Sequence, residues 1–198
     1  METGNDKQPN KPGTEPPLPA MTPLQALANT SIEKEANKAA KKEDQDFKAL
    51  KQRIDQLVQK EGLTGKVETT VRKKGLVVEL LTDNVFFDSG QAILKPGALS
   101  LLDKLGDVLR AENEHPIVVE GHTDSQPISN STYPSNWELS GARASSVIRT
   151  FASEGVPSGR LSGALYGAED PTASNATAEG RSRNRRVDVI LTRLHQES

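Results

Sequence analysis

The run PIVVEG, Pro116 to Gly121, lies between two one-faced helical patterns, and this alternation constrains the fold more than any other feature of the chain. Upstream, Pro96 starts a helix that places Leu99, Leu102, Leu105 and Leu109 on its inner face. Downstream, from about Glu138 to Glu154, Ala144, Val147, Ile148, Phe151 and Ala152 follow the i, i+3, i+4, i+7, i+8 pattern of an amphipathic helix. That helix ends at Gly155, with Pro157 beyond it. VETTV and GLVVELL, within Val67 to Leu81, are β-rich runs that RKKG joins as a hairpin; RLSGALYG and RRVDVILTR read as further strands, with an irregular polar segment between them. Strands interleaved with two such helices predict an α+β domain, both helices covering one face of a mixed sheet.

This domain does not account for the whole chain. The 198 residues suit one domain with an appendage, and 34% hydrophobic against 26% charged residues is too polar for a chain packed throughout. Met1 to about Pro23 is rich in Pro, Gly, Asn and Lys and is expected to be disordered or extended. Leu24, Leu27, Ala28 and Ile32 then predict a short amphipathic helix, with Thr22 as N-cap and Pro23 in its first position. After a run of Glu, Lys, Ala and Asp, the residues Phe47, Leu50, Ile54, Leu57 and Val58 predict a second helix that stops near Gly62. Residues 1–65 thus read as a flexible segment with two helices, and 66–195 as the compact domain. The helices are expected to pack on the domain or on a twin chain, or alternatively against a membrane-embedded partner.

With 25 basic and 27 acidic residues, net charge −2, nothing global favours nucleic acid or an anionic membrane. The basic run RSRNRR, Arg181 to Arg186, has no interleaved aromatic residues on which bases would stack, so no nucleic-acid partner is expected. There is no cysteine, which removes disulfides, thiolate metal sites, a thiol nucleophile and a lipid-modified cysteine. No apolar run approaches the roughly 18–20 residues that cross a bilayer. The chain reads as cytoplasmic, or as the extracytoplasmic part of a longer protein.

GHTDSQP, Gly121 to Pro127, follows the apolar strand directly and admits four readings: a metal site, a catalytic acid, a turn cap, or a pocket for a charged ligand. His122 and Asp124 are alternate residues and so point the same way on an extended chain, but further ligands are missing: His115 stands at the strand entrance and His195 in the tail. No metal is expected. No G-x-S-x-G accompanies the motif, so neither a Ser-His-Asp hydrolase nor any catalytic residue is assigned. Thr123 and Asp124 as a plain turn cap is the simplest reading of the strand end alone. It weakens beside NWELSGARASSV, where Arg143 lies near the start of the next helix, at the edge of its buried face, with Ser140 or Asn136 as cap. Asp124 and Arg143 then reach the same rim of the sheet, as a salt bridge or as a pair for a zwitterion; Glu138 is another ion-pair partner for Arg143. A carboxylate would hold the ammonium and the guanidinium fork would grip a carboxylate.

Taken in order, FFDSGQAILKPGALSLLDKLGDVL, VVEGHTDSQPI, NWELSGARASSVIRTF and GRSRNRRVDVIL resemble the successive motifs of the OmpA-like peptidoglycan-binding domain, from about Phe86 to Leu191. The long loop SQPISNSTYPSNWELS is most similar to the flagellar stator B subunits of the MotB family. The resemblance implies a β-α-β-α-β fold and a noncatalytic, cofactor-free anchor that holds an ion-conducting membrane complex to the wall. By that resemblance Asp124 and Arg143 hold the diaminopimelate end of the stem peptide, and Thr123, Asn136 and Leu139 line the same groove. Asn184 and Arg186 are secondary contacts or buttresses of the Asp124 loop. Phe86, Phe87 and Trp137 read as core or loop anchors. The resemblance further implies a homodimer and a stator A subunit as partner through an N-terminal transmembrane helix that this chain lacks, with the domain in the periplasm. Leu24 to Ile32 would then be a plug and Phe47 to Val58 a linker helix. A general envelope anchor without a motor role and, more remotely, a wall hydrolase are the alternatives.

Overall fold

The computed structural model describes residues 23–82 and 85–195, with side chains from residue 31 onward; the expectation for Met1 to Pro23, including the Thr22 cap, lies outside these apart from Pro23, which opens the first helix. The elements run α1 (Pro23–Lys60), β1 (Val67–Arg72), β2 (Gly75–Leu81), α2 (Pro96–Ala111), β3 (Ile117–His122), α3 (Asn136–Ser153), β4 (Leu161–Gly167), α4 (Ala178–Asn184) and β5 (Arg186–Thr192), with a 3₁₀ turn at Ser158–Arg160. The five strands form one sheet in the order β1-β2-β5-β3-β4. Only β3 and β4 are parallel, as a strand–helix–strand crossover through α3 requires; the other pairs are antiparallel. This is the expected α+β architecture with a mixed sheet.

The hairpin turns at Lys73-Lys74, since Arg72 pairs with Gly75. Gly75 has φ +133°, and a Cβ there would stand 1.8 Å from the Leu191 carbonyl oxygen, so only glycine lets β2 approach β5 this closely. Alternation sorts the two sheet faces. Leu76, Val78 and Leu80 of β2, Ile117 and Val119 of β3, and Val187, Val189 and Leu191 of β5 join one core with Leu101, Leu102, Leu105 and Leu109 of α2 and Ala144, Val147 and Phe151 of α3. On α2 the buried arc is set by Ala98, Leu101, Leu102, Leu105 and Leu109, whereas Leu99, expected inside, is 37% exposed. α3 begins at Asn136, two residues earlier than expected. Its cap is neither Ser140 nor Asn136 but Ser135, whose Oγ accepts from the Trp137 N–H at 3.2 Å.

The expected pair of N-terminal helices is one continuous helix, α1. Its charged middle consists mostly of strong helix formers, and Lys48–Asp44 (2.6 Å) and Lys51–Asp55 (2.5 Å) pair one turn apart. The core also crosses the boundary drawn at residue 66: Phe47, Leu50, Ile54 and Val58 are buried in the same cluster as the sheet. Toward the N-terminus of α1, Ile32 is 64% exposed, and the side chains of Leu24, Leu27 and Ala28 lie outside the described residues. Among the described residues no helix is long and apolar enough to cross a membrane.

Candidate ligand-binding cleft

The fold opens a cleft of about 440 Å³ beyond the end of β3, lined by the Phe87–Gly90 turn, Thr123, Asp124, the Gln126–Ile128 loop, Asn136, Leu139, Arg143 and Arg185. Its walls are set by how tightly β3 meets α3. A Cβ on Gly121 would fall 2.0 Å from the Ser140 carbonyl oxygen, so the glycine of GHTD is required by this contact. Ser140, buried completely, accepts from the Gly167 N–H at 3.1 Å and donates to the Trp137 carbonyl at 2.9 Å, fastening the start of α3 to the end of β4. Thr123 donates its N–H to the Gly167 carbonyl at 2.7 Å, which prolongs β3 by one residue before the chain turns.

Asp124 is 5% exposed. Its Oδ1 accepts from the Gln126 N–H at 3.0 Å, and its Oδ2 is ion-paired with the Arg185 guanidinium. The Asn136 amide donates to the carbonyls of Asp124 (3.3 Å) and Gln126 (3.0 Å), pinning the loop to the first turn of α3. Arg143, 3% exposed, crosses to the opposite wall: Nε donates to the Gln91 carbonyl at 2.9 Å and Nη2 to that of Asp88 at 3.3 Å, with the guanidinium over the Phe87 ring at 5.2 Å. A planar fork held on its edge and its face is orientationally fixed, as grip on a carboxylate demands. Asp124, Thr123, Asn136, Leu139 and Arg143 are therefore brought to one cleft.

Neither Asn184 nor Arg186 lines the cleft. Asn184, with no exposed surface, accepts from the Thr172 and Ala173 N–H groups and donates to the Ala173 carbonyl and to Asn175, all at 2.9 Å; it ties down the 172–175 segment and, through Asn175, whose Oδ1 also accepts from the Ser125 N–H at 3.2 Å, buttresses the Asp124 loop. Arg186 points to the sheet face away from α1–α3, where Nε meets Asp188 at 3.1 Å and Nη2 meets Asp170 at 3.4 Å. The basic residue that reaches the cleft is its neighbour Arg185, at the C-cap of α4. Strand alternation carries the signal that separates them: Arg185 shares parity with Val187, Val189 and Leu191, which face the core, and Arg186 does not. α4 itself falls where an irregular segment was expected; seven mostly polar residues contain no apolar period, and Thr177 caps it by accepting from the Gly180 N–H at 3.0 Å.

His122 and Asp124, alternate in sequence, are not brought together, because the strand ends between them and the β3–β4 register shifts at Gly121/His122. Phe86 and Phe87 are core residues, and Trp137, 45% exposed, lies outside the cleft, packed near Gly167.

Residues 86–185 match the OmpA family. Motility protein B of Bacillus subtilis is 33% identical over 150 residues, covering 75% of this chain and 57% of that protein, so the chain spans a little over half the relative's length. A crystal structure of a MotB-like protein from Desulfovibrio vulgaris superposes with TM-score 0.70 at 27% identity, over 82% of this chain and 96% of that one. The cell wall anchor of the type VI secretion system from Pseudomonas aeruginosa gives TM-score 0.64 at 30% identity, over 72% and 99%. The family match covers half of the chain and holds the whole cleft except Thr82, which lines its edge: this chain belongs to the OmpA family.

Proposed function

We propose that the chain is a noncatalytic peptidoglycan-binding module acting outside the cytoplasmic membrane, and that the stem peptide's zwitterionic terminus occupies the cleft. The observation that carries this reading is the placement of a buried carboxylate, Asp124, and a buried, clamped guanidinium, Arg143, on facing walls of one cleft. Diaminopimelate carries an ammonium and a carboxylate on one carbon, and the two walls offer each its opposite charge. Arg185 already neutralises Asp124, so the cleft need not hold an uncompensated anion while empty. A carboxylate has about four lone-pair sites, and accepting an ammonium does not require Arg185 to leave. Binding alone is asked of these residues; no bond need break.

The finer role is that of a flagellar stator B subunit, partnered by a stator A subunit, dimeric, and joined to the inner membrane by an N-terminal helix. The similarity to Motility protein B and to the MotB-like fold supports it. The likeness to the secretion-system anchor favours a second reading, an envelope anchor without a motor role. Motility of a deletion strain complemented with the full-length gene separates the two.

Cosedimentation with purified sacculi tests the common core of both readings. Wild-type protein should pellet with the wall, and Asp124→Ala and Arg143→Ala, each checked for folding, should bind about 10- to 100-fold more weakly, the cost of about 1.5–3 kcal/mol for a charge-assisted contact. Full binding by both folded variants would sink the cleft assignment. Release of soluble muropeptides by the wild type would sink the noncatalytic one.

A further inference from the structure

The sheet face turned away from α1–α3 carries a row of carboxylates. The registers place Glu68 opposite Glu79, Glu79 opposite Asp188, and Asp188 opposite Glu120, across four neighbouring strands. Like charges directly opposite in a sheet are destabilising, so a row of this kind needs cations. Three come from the chain: Arg72 on Glu79, Lys74 Nζ on Glu120 Oε2 at 2.9 Å, and Arg186 Nε on Asp188 Oδ2 at 3.1 Å.

They leave His122 unanswered. This imidazole is 1% exposed, is stacked on Tyr166 with ring centroids 4.9 Å apart, and neither ring nitrogen has a hydrogen-bond partner. Asp188 Oδ1 is likewise buried and unpartnered. His122 Nε2 is aimed between two carboxylates, 3.6 Å from Asp188 Oδ2 and 3.9 Å from Glu120 Oε2, and one ligand atom from each of the three residues lies within 4.8 Å of the others. Ligands at about 2.0–2.1 Å in a tetrahedral zinc site stand about 3.4 Å apart, so these separations are already close to those of a three-residue site with a fourth position for water. On the other side of the ring, Nδ1 faces Asp170 Oδ2 at 3.8 Å, the outer carboxylate that orients a metal-ligating histidine.

We propose that Glu120, His122 and Asp188 form a binding site for one divalent transition-metal cation of the zinc class, with Asp170 orienting the imidazole. Imidazole with two carboxylates suits zinc and its neighbours rather than magnesium or calcium. Lys74, whose side chain is 44% exposed, occupies the Glu120 oxygen from the rim and swings to solvent as the cation enters; Arg186 stays on Asp188. The site shares no residue with the cleft and stands or falls independently of the peptidoglycan reading.

The test is calorimetric titration of zinc chloride into the untagged full chain at neutral pH, with the unfolding midpoint followed in parallel. One zinc per chain should bind and raise the midpoint. His122→Gln and Asp188→Asn should abolish this binding. Asp170→Asn, a change at a 58% exposed side chain that leaves the ligands in place, should weaken it about 10- to 100-fold. Lys74→Met, which removes the competing cation, should tighten it, and His115→Gln, remote from the site, should leave it unchanged. Absence of saturable binding by the wild type would overturn the proposal, as would binding that survives His122→Gln or that ignores both Asp170→Asn and Lys74→Met.

Discussion

Asp124 and Asn184 look alike as buried polar residues, yet their partners assign them different work. Asn184 makes four hydrogen bonds to the 172–175 segment and does not line the cleft that holds Asp124. Asn184→Ala should therefore lower stability by about 1–3 kcal/mol through the buried groups left unpaired, while folded protein still pellets with sacculi; urea denaturation beside cosedimentation checks both halves. Gly121→Ala should be harsher, near the upper end of about 1–3 kcal/mol for overpacking, because the new Cβ collides with backbone rather than with a yielding side chain. Asp124 and Arg143 were legible as a pair in the sequence because a strand end and a helix start fall on one rim. Arg185 was not, because two adjacent arginines look equivalent until the strand's alternation is assigned. The buried surroundings of His122 were also out of reach: Glu120 is two residues away, but Asp188 arrives from a strand 66 positions later.

At the scale of elements, the C-terminal half of α1 is a structural part of the domain rather than a loose linker. Phe47 is 1% exposed, packs against His115 with ring centroids 4.6 Å apart and lies under the Arg193 guanidinium at 5.4 Å. Phe47→Ala should cost about 3–5 kcal/mol, and removing residues 1–65 should destabilise the remainder and bare its apolar underside; denaturant midpoints of the two proteins measure both. Beside Phe47 the helix is latched by charge. His115 contacts Glu112 (2.6 Å) and Glu43 of α1 (3.1 Å), Arg193 approaches Glu43 at 3.6 Å, and Arg160 bonds Glu112 at 2.7 Å. The hydrogen bond to Glu112, aided by Glu43 and opposed by burial, raises the His115 pKa above 6.5. A raised folded-state value means the contribution is complete below 6.5 and is lost as pH rises through the folded value. Wild-type stability should accordingly fall with pH above 6.5 more steeply than that of His115→Gln, read from urea midpoints on either side of that range. The continuity of α1 escaped sequence reading because its middle turns only Ala40 and Glu43 fully inward, and a buried glutamate breaks the apolar stripe that would mark a helix. The strands and the two core helices were legible because their periods are clean.

For the molecule as a whole, one sheet presents two different faces. The face under α1, α2 and α3 holds the core and, at its rim, the cleft; the opposite face holds the acidic row and His122. The cleft and the proposed cation site are thereby separated by the thickness of the sheet and share no residue. The proposed recognition of a zwitterion by Asp124 and Arg143 together is measured by titrating the full chain with a soluble stem tripeptide ending in diaminopimelate, beside the same peptide ending in lysine. Lysine keeps the side-chain ammonium but lacks the second carboxylate. The first peptide should bind saturably, the second about tenfold or more weakly, and Arg143→Ala should not discriminate between them. Equal affinity of the wild type for both peptides, or discrimination that persists in Arg143→Ala, would contradict that recognition.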